Sequence, residues 1–229
     1  MKIELVVFDM AGTTVRDDDA VNDCLREALA AAGVKVTKAQ VNEVMGIAKP
    51  RAIRALLDKA GKEPNASADR VTEIHADFMR RMIAHYENST TVEPMPHTLE
   101  TFTKLRAAGV RVALDTGFNR RIVDTILTRL GWTDGNAVDA TVATDEVLRG
   151  RPHPDMVVKA MNLTGVRYPQ AVAKVGDTPA DLQEGNAAGC AMVIGVTNGS
   201  HTTGQLRVHP HTHLVSSLAA LPELILNNA

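Results

Sequence analysis

The chain has 229 residues, of which 45% are hydrophobic and 23% are charged. This balance excludes an intrinsically disordered chain and is typical of a globular protein with one or two domains. Its 25 basic and 27 acidic side chains leave a formal net charge of −2, and only 3% of its residues are aromatic. We therefore expect no nucleic-acid partner. No apolar run approaches the roughly 20 residues that span a bilayer, so we expect no membrane contact and a cytoplasmic location.

The chain begins with a predicted strand and continues into predicted helices. Residues 3–8 are almost all apolar, which is typical of a strand buried on both faces. Apolar side chains then recur at helical spacing near residues 21–29, 53–60 and 71–82. No strong strand pattern interrupts this stretch, so residues 17–90 are predicted to form a small all-helical unit.

Helices and strands alternate from residue 94 onward. Strands are predicted at residues 110–114, 140–143, 171–175 and 191–196, with a short last strand at 214–215, and amphipathic helices separate most of them. Such alternation predicts an α/β fold with a doubly wound, Rossmann-like parallel sheet. The first strand most simply joins this sheet. The expected molecule is an α/β core of residues 1–16 and 91–229 with an inserted helical cap of residues 17–90.

Polar residues follow three of the predicted strands, at the sheet edge where open parallel sheets bind ligands. Asp9 ends the first strand and precedes a glycine-containing turn, so it is a candidate nucleophile or metal ligand, or a plain turn residue. Thr116 follows a second strand. Asp177 and Asp181 follow a later one, where two carboxylates could bind a hard cation or simply favour a helix N-terminus. Arg151 precedes the helix between them.

In their order along the chain, these residues resemble the motifs of the haloacid dehalogenase superfamily of phosphoryl-transfer enzymes. The resemblance covers nearly the whole chain, and the helical insertion stands where that family has its small cap. It implies that Asp9 attacks phosphorus and that Mg²⁺ neutralises charge. The implied metal ligands are Asp9, the Ala11 carbonyl, Asp177 and, through water, Asp181. The implied ligands of the phosphoryl oxygens are Thr116, Arg151 and the backbone N–H of Gly117.

Two departures from the common pattern of that superfamily restrict the resemblance to a smaller group within it. Most of its phosphatases have a second Asp two positions after the nucleophile, where this chain has Ala11, and a Lys where this chain has Arg151. Both changes are similar to the phosphonatases, which cleave phosphonoacetaldehyde, and to phosphonatase-like relatives. Those enzymes use a cap lysine that follows a Met-Gly pair, and this chain contains Met45-Gly46-Ile47-Ala48-Lys49. The resemblance therefore implies that Lys49 forms a Schiff base with a small 2-oxoalkylphosphonate.

The chemistry explains why these features occur together. An ester leaves as an alkoxide and benefits from a nearby acid, whereas a phosphonate leaves as a carbanion and needs an electron sink. A lysine imine is such a sink. The helix that should begin near Lys49 would also favour its neutral amine.

The substrate pocket departs from the phosphonatase pattern at several positions. The resemblance implies that Met10, Met45, Gly117 and Phe118 contact the substrate. Phosphonatases usually have Trp at position 10, Tyr at 118 and His at 52, where this chain has Met10, Phe118 and Ala52. A related 2-oxoalkylphosphonate, or another phosphorylated compound, remains open as the substrate.

Two other functions are compatible with the same residues. One is a phosphomonoesterase of the phosphoglycolate phosphatase type, with Lys49 binding an anionic tail of the substrate. The other is a non-catalytic phosphate-binding or scaffolding protein, although such a protein need not keep Asp9. The sequence leaves both a monomer and a homodimer open.

Two further clusters of metal-ligating residue types are assigned structural roles. His209, His211 and His213 alternate, but Pro210 interrupts the alternation, so this segment is expected to be a solvated connection into the last strand. The acidic run at residues 17–19 is expected to mark the hinge into the cap and to cap the helix that follows.

Overall fold

The computed structural model describes residues 2–61, 66–133 and 135–227; the few other residues of the two predicted units lie outside the described part. The strands are β1 Leu5–Asp9, β2 Arg111–Thr116, β3 Ala140–Ala143, β4 Val172–Gly176, β5 Met192–Val196 and β6 His213–Val215. The helices are α1 Ala20–Ala31, α2 Lys38–Asn42, α3 Lys49–Lys59, α4 Ala68–Asn88, α5 Thr98–Ala107, α6 Arg120–Leu130, α7 Asp155–Thr164, α8 Pro179–Ala188, α9 Thr203–Arg207 and α10 Leu221–Asn227.

The strands form one parallel sheet in the order β3-β2-β1-β4-β5-β6, which confirms the predicted doubly wound α/β class. From β1 the chain adds β2 and β3 on one side, and β4, β5 and β6 extend the sheet on the other. The switch point of the topology therefore lies at the carboxyl ends of β1 and β4, where such sheets bind ligands.

Both faces of the sheet are covered by apolar side chains. In β1, Val6 and Phe8 belong to the core cluster on one face, which also includes Phe102 of α5. Leu5 and Val7 belong to the cluster on the opposite face with side chains of α7. This alternation follows from the two-residue period of a strand. It explains why the β1 sequence is continuously apolar instead of alternating.

Helices α1 to α4 occupy the stretch between β1 and α5. α4 packs against α1 and α3, and it also packs against α6 beside the sheet. Its buried rings, Phe78 and Tyr86, lie 6.5 and 6.1 Å from the ring of Phe118, which follows β2. The cap boundary at residues 17–90 remains a prediction, but these rings bring α4 to the carboxyl edge of the sheet.

Several short elements escape the sequence patterns. α2, α9 and α10 were not predicted, because five to seven residues are too few to show a helical period. α9 ends at Arg207, before the His209–His213 segment, and buries the side chain of Leu206; residues 208–212 of the connection that follows are exposed or half-buried. Among the described helices, none combines the length and the apolar character needed to cross a bilayer.

A buried lysine holds the carboxyl edge of the sheet together. Lys174 lies in the middle of β4, and none of its side chain is exposed. Its Nζ pairs with the carboxylate of Asp115 on β2, with Asp181 at 3.2 Å and with Glu184 at 3.3 Å, both on α8. A buried charge is costly unless it is paired, so these carboxylates are what permit a lysine here. The ion pairs in turn join β2, β4 and α8.

Replacing this lysine tests that role. Lys174→Met keeps the length of the side chain but leaves three buried carboxylates with one cation fewer. We expect the free energy of unfolding, measured by urea denaturation, to fall by about 3–5 kcal/mol. Lys104→Met is the matched control, because Lys104 pairs with Glu100 on the surface of α5 and should cost less than about 1 kcal/mol. Equal losses in the two variants would contradict the structural role of Lys174.

Candidate active site

Three carboxylates meet at the switch point of the sheet. Asp9 is the last residue of β1, Asp177 follows β4, and Asp181 lies in the first turn of α8. One oxygen of each lies within 4.8 Å of the others, and all three side chains are buried. The sequence predicted this convergence, since the carboxyl ends of parallel strands share one edge.

Local hydrogen bonds orient Asp177 and Asp181. Thr178 caps α8, and its hydroxyl donates to Oδ2 of Asp181 at 2.6 Å. Asp177 accepts from the Thr13 hydroxyl at 3.0 Å and from the N–H and hydroxyl of Ser200 at 2.6 and 2.7 Å. Proline at the first position of α8 is compatible with this tight helix start. The two carboxylates are therefore held in fixed directions before any ligand binds.

These carboxylates suit a hard divalent cation. Burial raises the pKa of Asp9, and the charges of Asp181 and Asp177 raise it further against the opposing field of Arg151. The pKa of Asp177 is raised by burial and by Asp181. Such crowding is unfavourable unless positive charge compensates it, and carboxylate oxygens are the ligands that Mg²⁺ and similar ions prefer. Within the described residues, the clusters able to hold a metal consist of carboxylates, and neither includes a histidine of the His209–His213 segment.

Arg151 is the central cation of the site. Its guanidinium is fully buried and pairs with Asp9 at 2.6 Å, with Asp181 at 3.0 Å, with Glu184 at 2.9 Å and with the carboxylate of Asp115. Because a guanidinium presents its donors in a rigid plane, these pairs fix the direction of the Asp9 carboxylate. Arg151 thus positions Asp9, besides the phosphoryl binding that the sequence predicted for it.

The loop after β2 meets the loop before α3. The Thr116 hydroxyl accepts the N–H of Phe118 at 3.2 Å, which shapes the first of these loops. A Cβ added to Gly117 would lie 2.8 Å from the carbonyl oxygen of Ile47, and one added to Gly46 would lie 2.3 Å from the hydroxyl of Thr178. A larger residue at Gly117 would separate the two loops, and one at Gly46 would separate the loop before α3 from the start of α8. The Met-Gly pair noted in the sequence therefore allows close contact between the helical insertion and the sheet edge.

Lys49 lies beside Asp9 in a nearly dry environment. It is the first residue of α3, and its Nζ lies 5.3 Å from the ring centre of Phe118 and 6.0 Å from that of Phe78. Burial lowers the pKa of Lys49 to about 8, and the charge of Asp9 opposes this shift. The helix N-terminus was predicted to favour the neutral amine, but burial among aromatic rings is the larger cause. At pH 7 about a tenth of this amine is therefore neutral, far more than for an exposed lysine.

One small cavity of about 30 Å³ joins most of the predicted site residues. Its lining includes Asp9, Ala11, Met45, Lys49, Thr116, Gly117, Phe118 and Arg151, all of which were predicted, together with Asp17, Val21, Gly46, Thr178 and Ser200. This volume corresponds to about one water molecule, so the insertion closes tightly over the sheet edge. Of the predicted residues, Met10, Asp177 and Asp181 are not in the lining.

Among the four predicted substrate contacts, Met10 is the one that does not line the cavity. Its side chain is completely buried in the main core cluster and does not line the cavity. In β1 and its extension, neighbouring side chains point to opposite directions, which places Asp9 at the site and Met10 in the core. A substrate contact by the side chain of Met10 has no support from this arrangement.

Sequence reasoning missed three charged residues near the site. Lys174 and Glu184 belong to the buried ion-pair cluster around Arg151, and Asp17 lines the cavity. A lysine within the apolar β4 segment was a usable signal, because lysine is almost never fully buried without a partner. Glu184 is an ordinary helical residue by sequence. Asp17 accepts the N–H of Val21 at 3.0 Å, in agreement with the capping role predicted for the acidic run. Because that role was sufficient to explain Asp17, no separate signal in the sequence indicated that it also lines the cavity.

Curated relatives of the chain are phosphonoacetaldehyde hydrolases. The chain is 35% identical over 214 residues to a bifunctional phosphonoacetaldehyde hydrolase/aminoethylphosphonate transaminase from Clostridioides difficile, with 89% of this chain and 33% of that longer protein covered. It is 31% identical to a phosphonoacetaldehyde hydrolase from Parabacteroides distasonis, with 89% of this chain and 79% of the relative covered.

Solved structures show the same fold at lower identity. A phosphonoacetaldehyde hydrolase-like protein from Oleispira antarctica has a TM-score of 0.87 at 23% identity, with 99% of this chain and 92% of that chain covered. A predicted phosphoglycolate phosphatase from Haemophilus somnus has a TM-score of 0.79 at 21% identity, with 98% of both chains covered.

A family model also matches most of the chain. The model of the haloacid dehalogenase-like hydrolases matches residues 3–189, which include the strand-end carboxylates, Lys49 and Arg151. The resemblance inferred from the motifs is thereby confirmed, and the chain belongs to the haloacid dehalogenase-like hydrolase family.

Proposed function

We propose that this hydrolase cleaves the carbon–phosphorus bond of a small 2-oxoalkylphosphonate, such as phosphonoacetaldehyde, with the help of Mg²⁺. The observation that carries the proposal is the shared cavity of Asp9 and Lys49, in which burial lowers the pKa of the amine to about 8. A carboxylate that can attack phosphorus and an amine that can attack a carbonyl thus face one small volume. The names of the curated relatives support the same substrate class.

Two covalent bonds to the protein divide the reaction into feasible steps. The Lys49 amine condenses with the aldehyde to form an iminium, which withdraws electrons from the carbon attached to phosphorus. Asp9 then attacks phosphorus, and the electron pair of the breaking bond moves into an enamine. Water finally releases phosphate from Asp9 and the aldehyde from Lys49. Ala11 agrees with this route, because a carbon leaving group is stabilised by the iminium and needs no acid at that position.

The remaining polar groups bind the charged part of the substrate. Thr116, the N–H of Gly117 and Arg151 would contact the phosphoryl oxygens, while Asp9, Asp177 and the Ala11 carbonyl would hold Mg²⁺ with Asp181 behind them. When bound, the ion supplies positive charge that offsets the crowded carboxylates and the phosphoryl group. Met45 and Phe118 line the cavity and exclude water from the imine.

A phosphomonoesterase is the second candidate, because predicted phosphoglycolate phosphatases share the fold. Ala11 disfavours it, since that residue cannot protonate an alkoxide. The buried, low-pKa amine of Lys49 would also have no covalent function in an esterase. The two candidates therefore differ in what they require of Lys49.

Asp9→Asn tests the nucleophile that both candidates share. The amide keeps the size of the side chain but cannot attack phosphorus, so turnover should fall by at least about 10³-fold. Phosphate release from phosphonoacetaldehyde and from p-nitrophenyl phosphate, each with Mg²⁺ present, measures the effect. A variant that keeps more than about a tenth of the wild-type rate would contradict an aspartyl phosphate.

Lys49→Arg separates the two candidates. Arginine keeps a positive charge but cannot form an imine, so phosphonate cleavage should be lost while hydrolysis of p-nitrophenyl phosphate falls far less. With the wild-type enzyme, borohydride and phosphonoacetaldehyde should attach a two-carbon unit to Lys49, detected by peptide mass mapping. Trapping should become faster as the pH rises through about 8, because the amine loses its proton there.

Lys59→Arg is the matched control for this substitution, since Lys59 is an exposed residue of the same helix. It should leave both activities and the trapping unchanged. If Lys49→Arg still cleaved the phosphonate and no adduct formed on the wild type, the phosphonatase would be excluded and the esterase favoured.

A further inference from the structure

The cavity contains one titratable side chain that the proposed reaction leaves unused. Of the described residues that line it, four have ionisable side chains: Asp9, Asp17, Lys49 and Arg151. Asp9 attacks phosphorus, Lys49 attacks the carbonyl, and a guanidinium does not lose its proton in a protein. Asp17 is therefore the remaining group in this lining that can accept and donate protons.

The position of Asp17 connects the cavity with solvent. Its Oδ1 accepts the N–H of Val21, and no hydrogen bond from the described residues occupies its Oδ2. The same side chain also lines an outer cleft of about 370 Å³, together with Asp18 and Ser200. Asp17 thus borders both the cavity that Asp9 and Lys49 line and the outer cleft, so a proton on it can exchange with water in that cleft.

The surroundings of Asp17 make it suitable for proton transfer. Burial raises its pKa to about 6, and the charges of Asp177 and Asp19 add to this shift, while the backbone N–H of Val21 and the charge of Lys49 oppose it. The phenol of Tyr86 and the thiol of Cys24 also lie within the field of its carboxylate. An acid–base group works best when its pKa lies near the operating pH.

From this geometry we infer that Asp17 is the acid–base catalyst of imine formation at Lys49. The inference rests on the proposed function and adds a residue to it. Imine formation needs such a group, because the amine nitrogen must lose two protons and the carbonyl oxygen must gain two. Ala11, which lines the same cavity, cannot carry a proton.

Each proton that the Lys49 nitrogen loses is transferred by Asp17 to the carbonyl oxygen of the substrate. The Asp17 carboxylate removes a proton from the Lys49 ammonium, and the neutral amine forms the carbon–nitrogen bond while the carbonyl π pair moves to oxygen. Asp17 returns its proton to that oxygen. The carboxylate then takes the second proton from nitrogen and transfers it to the hydroxyl group, which leaves as water while the nitrogen lone pair forms the iminium. Asp17 ends ionised, as it began.

Asp17→Asn tests this role. The amide keeps the size of the side chain and an acceptor for the N–H of Val21, but it cannot carry a proton. The trapping rate at Lys49, with phosphonoacetaldehyde and saturating cyanoborohydride, should fall by about 10²-fold or more. The hydrolysis of p-nitrophenyl phosphate, which needs Asp9 but no imine, should fall at least about tenfold less. Asp18→Asn, the same change at the neighbouring exposed residue, should have the wild-type trapping rate.

The pH dependence gives a second readout that a purely structural role would not change. Below about pH 6 Asp17 is protonated and cannot accept a proton from Lys49, so the trapping rate of the wild type should fall there. The Asp17→Asn variant should lack this decrease and depend on Lys49 alone.

Three results would decide against the inference, and they are distinguishable. Wild-type trapping with an undiminished rate in Asp17→Asn would exclude Asp17 as the acid–base group. Equal losses of trapping and ester hydrolysis would show that Asp17 only maintains the structure. No adduct on the wild-type enzyme, with p-nitrophenyl phosphate still hydrolysed, would refute the proposed function itself and this inference with it.

Discussion

More negatively charged than positively charged side chains are buried at one edge of the sheet. This imbalance constrains the arrangement of the whole site. Five carboxylates and three cations are buried there: Asp9, Asp115, Asp177, Asp181 and Glu184 with Arg151, Lys174 and Lys49. Arg151 and Lys174 form ion pairs with all of these carboxylates except Asp177. Ion pairs compensate part of this charge, and the rest favours a divalent cation. The same pairs hold Asp9 in place, because Arg151 contacts it directly and is itself held by Asp115 and Glu184. Stability and the direction of the nucleophile therefore depend on the same contacts.

The helical insertion adds the second half of the site by excluding water. Gly117 allows the loop after β2 to touch the loop before α3, and Gly46 allows the latter to approach Thr178. The rings of Phe78 and Phe118 lie beside the amine of Lys49. The pKa of that amine is low because it is buried, so its reactivity depends on the closed arrangement. Opening of the insertion would hydrate the amine and favour its protonated form. The low pKa of Lys49 and the burial of this edge under the insertion thus have the same physical cause.

In the proposed reaction, the position of Asp17 fits the kind of bond that is broken. An ester needs a proton at its leaving oxygen, close to Asp9, and this chain has Ala11 there. An imine needs protons at a carbonyl several bonds away from phosphorus. Asp17 lines the cavity at the start of the helical insertion and also lines the outer cleft. In the proposed reaction, the acid therefore acts at the carbonyl group of the substrate and not at the phosphoryl group.

The amino-acid sequence by itself determined the parallel sheet and the convergence of Asp9, Thr116 and Asp177, because alternating elements place all strand ends at one edge. Its motifs also identified the family and singled out Lys49. Short helices such as α9 escaped it, since they lack a detectable period. Only the tertiary structure decided that Met10 faces the core, that Lys174 is buried among carboxylates and that Asp17 enters the cavity. Burial and pKa depend on neighbours that are distant in the chain, and no local pattern records which neighbours those are.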